Sequence, residues 1–356
     1  MAKTATFSAA GLEIYFQSKR ANVDGKAASQ LVQFIKGAKN ALHVAIYDLK
    51  DKDILRALKE MSTKVALHIR YDGGKPSSTG GKSTTVDPKS ATASAIKAAG
   101  LGPFSQVIPE SGHLMHDKFI VRDRTSVWTG SGNFTNGGLH LQDNNFLAID
   151  SMALAEAYLK AFDELTAAGD KTPKGPPASV AVGGVHLTVR FSTKGREAED
   201  IEGSVVQALH GAGKVRLIAM LVSDPGIMQA LFDLRHGDIK GVVDPHEMKV
   251  VMKPPKGKSK LDPKFFWFAN GDKRFVAAPS HAFNGKQDKN DFMHNKVLII
   301  DDRTVVTGSY NFSENAERND ENLLILQSPQ VAKAYTAYFD ALFARYKKSG
   351  AKLPPA

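Results

Sequence analysis

The chain has 356 residues, 42% of them hydrophobic and 24% charged, with a formal net charge of +10. That length holds two ordinary domains or one large one, and the composition is that of a folded globular chain. The absence of cysteine excludes disulfide scaffolds, thiolate zinc sites and cysteine nucleophiles.

Met1-Ala-Lys-Thr-Ala-Thr-Phe-Ser8 lacks the apolar stretch of a secretory signal, and no window reaches ~18 unbroken apolar residues. Together these predict a cytoplasmic protein without a membrane span. The basic balance favours a polyanionic partner, either nucleic acid or an anionic membrane surface.

In chain order, apolar periodicity predicts a strand at 12–18, a helix at 27–38, a strand at 41–47, a helix at 53–61 and a strand at 65–72. A variable loop follows, then a motif strand that carries His116 and Lys118, a second strand at 126–129, a third at 145–149 and a long helix at 153–167. Residues 13–18, Glu-Ile-Tyr-Phe-Gln-Ser, resemble the remnant of a protease-cleavable tag, but a later counterpart marks them as a native strand. Gly169-Asp-Lys-Thr-Pro-Lys-Gly-Pro-Pro-Ala178 continues neither helix nor central strand.

The same order then returns, with strands at 187–192, 215–221, 239–244, 305–307 and 322–326 and helices at 200–211, 225–232 and 330–346. Leu31-Val-Gln-Phe-Ile-Lys-Gly-Ala-Lys39 matches Val205-Val-Gln-Ala-Leu-His-Gly-Ala-Gly213, and Ala157-Tyr158 matches Ala334-Tyr335 at nearly the same offset. The chain is therefore expected to be an α/β protein of two similar α/β/α sandwich lobes with mixed sheets, related by a pseudo-two-fold axis, with the site at their interface. The predicted division is 1–168 and 184–356, with 169–183 as linker.

Each half carries one motif. His116-Asp-Lys118 is followed by Asp123 and by Gly130-Ser131-Gly-Asn133, and His294-Asn-Lys296 by Asp301 and by Gly308-Ser309-Tyr-Asn311. Residues two apart on a strand share a face, and a tight turn brings the Gly-Ser-x-Asn segment back beside them. Each half thus offers an imidazole, an ammonium, a hydroxyl and a carboxamide around one point, and two halves enclose a phosphate between two imidazoles.

This doubled pattern resembles the phospholipase D superfamily with its paired HKD motifs, over nearly the whole chain. The resemblance implies a metal-independent phosphodiesterase that works through a phosphohistidine, needs no cofactor and is complete as a monomer. His116 would be the nucleophile and His294 the general acid, roles suited to an imidazole with a reference pKa of about 6.5. It also implies that Lys118, Lys296, Asn133 and Asn311 hold the phosphate oxygens, with Ser131 and Ser309 in support. An acidic residue is expected behind each ring: Glu321 serves the second half, whereas the first has Asn144 there. Asp123 and Asp301 read as turn formers.

His113, His43, His68, His186 and His281 are expected to be core or surface residues. No His-Glu-x-x-His or calcium-loop pattern is present, so no metal site is expected. Gly73–Thr84 imitates a phosphate-binding loop, but Pro76 stands where the first glycine is required.

Residues 249–264 hold Lys249, Lys253, Lys256, Lys258, Lys260 and Lys264 and lead into Phe265-Phe-Trp-Phe268; Lys75, Lys82 and Lys89 fill the matching loop of the first half. Basic groups follow a phosphate backbone and aromatics stack bases, although the aromatics read equally well as a core strand. These loops favour a nuclease with nucleic acid as substrate. A phospholipase or transphosphatidylase acting on phospholipid is the alternative, followed by a binding protein without catalysis.

Overall fold

A computed structural model describes residues 6–74, 91–109, 113–165, 177–192, 201–252, 267, 274–279 and 290–353. The first lobe contains β1 (Thr6–Ala9), β2 (Leu12–Ser18), β3 (Val23–Asp24), α1 (Ala27–Lys36), β4 (Ala41–Ile46), α2 (Lys52–Met61), β5 (Ala66–Asp72), α3 (Ala91–Ala98), β6 (Ser105–Ile108), β7 (Lys118–Arg122), β8 (Ser126–Gly130), β9 (Asn144–Asp150) and α4 (Met152–Glu164). The second contains β10 (Ala178–Val182), β11 (Val185–Phe191), α5 (Ile201–Leu209), β12 (Lys214–Ala219), α6 (Pro225–Asp233), β13 (Asp238–Val243), α7 (Pro245–Val251), β14 (Phe275–Ala277), β15 (Lys296–Ile300), β16 (Thr304–Gly308), β17 (Asn322–Gln327) and α8 (Pro329–Ser349).

The two sheets have one topology. The first runs β1-β2-β9-β8-β7-β4-β5-β6, with β3 paired to β2, and the second runs β10-β11-β17-β16-β15-β12-β13-β14. β4, β5 and β6 are mutually parallel, as are β12, β13 and β14, while the motif strands β7 and β15 join them antiparallel. The sheets are therefore mixed, as the sequence predicts.

Alternation along each strand divides its side chains between two cores. On the first sheet Tyr15, Ile120, Trp128 and Phe146 pack outward under α1 and α2. Ile14, Phe16, Phe119, Val127 and Leu147 face inward, into a core that also takes in α4, α8 and the inner face of the second sheet. Phe16 meets Tyr335 edge-on at 4.8 Å, and Tyr158 meets Phe191 at 5.0 Å. The lobes thus share one continuous apolar interior.

Ile14 and Phe16, within the segment that imitates a tag remnant, are fully buried in this interior, so that segment belongs to the fold. The described part of the span expected as a linker, 177–183, contains a strand. Ala178–Val182 forms β10, paired with β11 through a turn at Gly183 and Gly184, both at positive φ. A five-residue edge strand of small residues just after prolines carries too little alternation to be read from sequence. No helix among the described residues is long and apolar enough to cross a membrane.

Candidate active site at the lobe interface

The turn after each motif strand is built by its aspartate. Asp123 and Asp301 sit at positive φ, and their carboxylates accept backbone N–H groups at the start of the neighbouring strand: Lys39, Asn40 and Ala41 at 2.7–2.9 Å in the first lobe, Gly213 and Lys214 at 3.0 and 2.8 Å in the second. Both aspartates stand at the end of the strand away from the histidine, which is the turn-forming place expected for them.

Glycine is required at 130 and 308, which have φ of 147° and 144°. A Cβ there would lie 2.3 Å from the carbonyl oxygen of Asn145 or Asn322. That close approach lets Ser131 N and Ser309 N donate to the same two carbonyls at 3.0 Å, fixing both serines beside the motifs.

The histidines do not lie on the motif strands as the two-residue spacing suggests. β7 begins at Lys118 and β15 at Lys296; each histidine stands just before its strand, in a segment that pairs with the opposite lobe. His116 N donates to Asp320 O at 3.0 Å, and Asp320 N to Leu114 O at 2.8 Å. On the other side His294 N donates to Asp143 O at 3.1 Å, and Asp143 N to Phe292 O at 3.1 Å.

The side chains cross in the same way. Glu321 of the second lobe holds His116 of the first, with its oxygens 2.8 and 2.9 Å from Nδ1. Asn144 of the first lobe presents Oδ1 to Nδ1 of His294 at 3.1 Å. The expectation that Glu321 serves the histidine of its own half is thereby corrected: each ring is oriented by the other lobe. Ser309 Oγ donates to Glu321 at 2.6 Å and Asn319 Nδ2 at 3.2 Å, while Ser131 Oγ donates to Asn144 Oδ1 at 2.8 Å. Asn144 Nδ2 donates to Gly138 O at 2.9 Å, which establishes that its Oδ1 faces the ring.

Both histidines are 6% exposed, and Lys118, Lys296, Ser131, Ser309, Asn144 and Glu321 are at most 1% exposed. Asn133 and Asn311 are half-buried, and their Oδ1 atoms have no partner among the described residues. Lys118 and Lys296 each donate to the carbonyl of the histidine two residues earlier, at 2.5 and 2.6 Å. Tyr47 packs edge-on against His116 at 5.0 Å, and Phe292 against His294 at 5.4 Å.

A deeper ring of polar contacts, which spacing did not reveal, ties the lobes beneath the site. Asn322 takes Asp117 Oδ1 at 2.9 Å through its amide and accepts from Thr129 at 3.1 Å and Tyr158 at 3.3 Å. Its counterpart Asn145 takes Asn295 Oδ1 at 2.9 Å and accepts from Thr307 at 2.9 Å and Tyr335 at 3.0 Å. The signal was the residue between His and Lys, which is Asp in one motif and Asn in the other.

Burial dominates the electrostatics of the site. Burial first, then Lys118 and Lys296, hold His116 well below its ordinary pKa; His294 is lowered by burial, both lysines and His116. Burial also lowers Lys118, to about 8 against the pull of Glu321, Asp117, Asp48 and Asp72, and drives Lys296 further down with Lys118 adding to the effect. Glu321 is raised to about 8 by burial, with Lys118, Ser309, Asn319 and Lys296 opposing. A phosphate placed between the lysines offsets the charges that depress both rings.

Of the expected substrate lysines, Lys249 lies exposed on α7. Lys75, Lys82, Lys89, Lys253, Lys256, Lys258, Lys260 and Lys264 fall outside the described residues, as do Phe265, Phe266, Phe268 and His281. Trp267 is half-buried and packs edge-on against Phe275 at 5.1 Å, which makes it a core aromatic. His43 stacks on His68 at 4.9 Å on the paired strands β4 and β5, in the sheet as expected.

A family model described as "Cardiolipin synthase, PLD-like domain" matches residues 31–166 and 205–343, one match per lobe. A phospholipase D of Rickettsia conorii is 49% identical over 43 residues, 12% of this chain and 22% of that protein. The mitochondrial cardiolipin hydrolase of Canis lupus familiaris is 29% identical over 75 residues, 18% of this chain and 30% of the relative. The chain thus matches less than a third of the length of either relative. Among solved structures, the phosphatidylserine synthase of Haemophilus influenzae Rd KW20 superposes with a TM-score of 0.63 over 96% of this chain and 89% of that one, at 14% identity, a likeness of fold. With both halves matched by the family model and one strand order in both lobes, the chain belongs to the phospholipase D-like family of phosphodiesterases.

Proposed function

We propose that this protein hydrolyses nucleic-acid phosphodiester bonds through a phosphohistidine, without a metal ion in the chemical step. The observation that carries the chemistry is the crossed pair of imidazoles, each buried and each held through Nδ1 by the opposite lobe. With Nδ1 occupied, Nε2 is the nitrogen left to each ring for reaction.

His116, backed by the Glu321 carboxylate, attacks phosphorus through Nε2, forming the N–P bond as the bond to the leaving oxygen breaks. The carboxylate stabilises the positive charge that this ring acquires. His294 protonates the leaving oxygen; its partner is a neutral amide, which leaves its proton easier to give away. His294 then takes a proton from water as that water attacks the phosphohistidine, and His116 is released. Lys118, Lys296, Asn133 and Asn311 hold the non-bridging oxygens, and Ser131 and Ser309 position the orienting residues.

The net charge of +10 and the lysines of residues 249–264 favour a polyanionic substrate. Phospholipid is the second reading, favoured by the name of the Rickettsia conorii relative. Incubation in EDTA with single- and double-stranded DNA, RNA, and phosphatidylcholine or cardiolipin vesicles separates the two. Nucleic-acid cleavage is expected; lipid turnover with intact nucleic acid would replace the nuclease reading, and binding without any turnover would leave a binding protein.

A further inference from the structure

One residue of the first lobe touches every member of its His-Asp-Lys motif. Tyr47 is the first residue after β4, and its backbone N donates to Asp117 O at 3.0 Å. Its ring meets the His116 imidazole edge-on, with centroids 5.0 Å apart and planes 65° apart, and Lys118 Nζ lies over the ring at 5.3 Å from its centroid. In the second lobe the same backbone place holds Met220, whose N donates to Asn295 O at 3.0 Å and whose side chain has no ring.

Packing alone does not account for the tyrosine. Ile46 and Leu49 are fully buried in the core under α1 and α2, whereas Tyr47 is half-buried and belongs to neither core of the first lobe. The segment that carries it is nevertheless firmly held. Phe134 N donates to Asp48 O at 3.0 Å, Lys50 N to Phe134 O at 2.9 Å and Leu49 N to Thr92 Oγ1 at 3.1 Å; that hydroxyl donates in turn to Asp48 Oδ1 at 2.6 Å.

Glu321 grips His116 at one atom, Nδ1. A grip on one atom leaves the imidazole plane free to swing, and the swing carries Nε2 off the line to phosphorus. An aromatic neighbour packed against the ring restricts that movement, and edge-on is an arrangement such pairs prefer. Lys118 commits one of its three N–H groups to the His116 carbonyl. Its side chain is 0% exposed, and a ring face within about 6 Å stabilises a desolvated ammonium more than an exposed one.

We propose that Tyr47 is a positioning residue for the reaction: its ring locks the His116 imidazole and the Lys118 ammonium relative to each other. The nucleophile and a group that holds the phosphate then move as one unit. This rests on the phosphohistidine reading above and deepens it. With Met220 at the corresponding place, the lock belongs to the nucleophilic side, where a misplacement of ~1 Å costs on the order of 10²-fold.

The probe is bis(4-nitrophenyl) phosphate, a diester that presumes neither a nucleic acid nor a lipid. Its leaving group departs with little help from an acid, so the rate reports attack by His116 rather than proton donation by His294. Tyr47→Met installs the residue that the second lobe already carries at this place. It is expected to lower kcat ~10–100-fold with KM changed less than about threefold, and Tyr47→Leu to do the same. Tyr47→Phe keeps the ring and is expected to stay within about threefold of the parent in both constants, as is Met220→Leu. Each variant is assayed where circular dichroism shows it folded.

A parent no faster than His116→Ala overturns the phosphohistidine reading and this proposal with it. A parent above that floor, with Tyr47→Met and Tyr47→Leu at its kcat, overturns the role of Tyr47 alone. So does a loss confined to KM, and so does an equal loss in Tyr47→Phe, which would assign the effect to the hydroxyl.

Discussion

The first lobe places Asp117 after its motif histidine and receives Glu321 from its partner lobe; the second places Asn295 and receives Asn144. On one frame with one strand order, duplication has kept the positions and let the charges diverge. The carboxylates collect around His116 and Lys118, and Lys296 has amides at the corresponding places. That is an arrangement for two imidazoles with different duties: one that must bear a positive charge while covalently bound to phosphorus, and one that must give its proton away.

The largest expected effects test that division directly. His116→Ala and His294→Ala should each abolish turnover with circular dichroism unchanged; activity surviving in either would end the shared-site reading. Glu321→Gln should lower kcat by ~10²–10⁴, the range of a lost acid–base contribution. Asn144→Ala removes a neutral hydrogen bond and should cost on the order of tenfold. Equal losses in the two variants would mean that the lobes are chemically equivalent despite their residues.

Next in size is the ring beneath the site. Asn322→Ala or Asn145→Ala removes three buried hydrogen bonds, to a threonine, a tyrosine and the facing Asp117 or Asn295, and should lower stability by ~1–3 kcal/mol, read from denaturant midpoints. Asn322→Ala should be the worse because one of the bonds it removes is donated to the Asp117 carboxylate, and a hydrogen bond to a charged group is the stronger kind. Asp117→Asn makes the lobes alike and should change stability least; a loss as large as that of Asn322→Ala would show that the Asp117 charge itself holds the lobes together.

The smallest effect sharpens the comparison at the residue before each orienting group. Asp143, fully buried against the Tyr346 hydroxyl, is raised by burial to about 7, with Ser18, Tyr346 and Arg20 opposing. Its folded pKa lies above the roughly 3.9 of an unfolded chain, so the folded state holds this proton more tightly. Its contribution to stability is therefore fully present below about pH 4 and is lost as pH rises from about 4 to about 7. Asp143→Asn should flatten that part of the Tm profile; an unchanged slope would assign it to other groups, Glu321 first among them.

Much of this protein was legible before any coordinates. The duplication, the mixed α/β architecture, the two histidines and lysines and the turn-forming role of Asp123 and Asp301 follow from local periodicity and spacing, because neighbours along an element obey fixed geometry. Two features did not follow. Glu321 was visible as an acidic residue near the second motif, yet it orients the first, and the Asn145 and Asn322 ring joins residues at least 150 apart in the chain. Spacing dictates which face a side chain takes within its own element and says nothing about which element stands opposite. In a duplicated chain the same-lobe and crossed pairings have identical spacing, and only the shared core of α4 and α8, which sets one lobe against the other, decided between them.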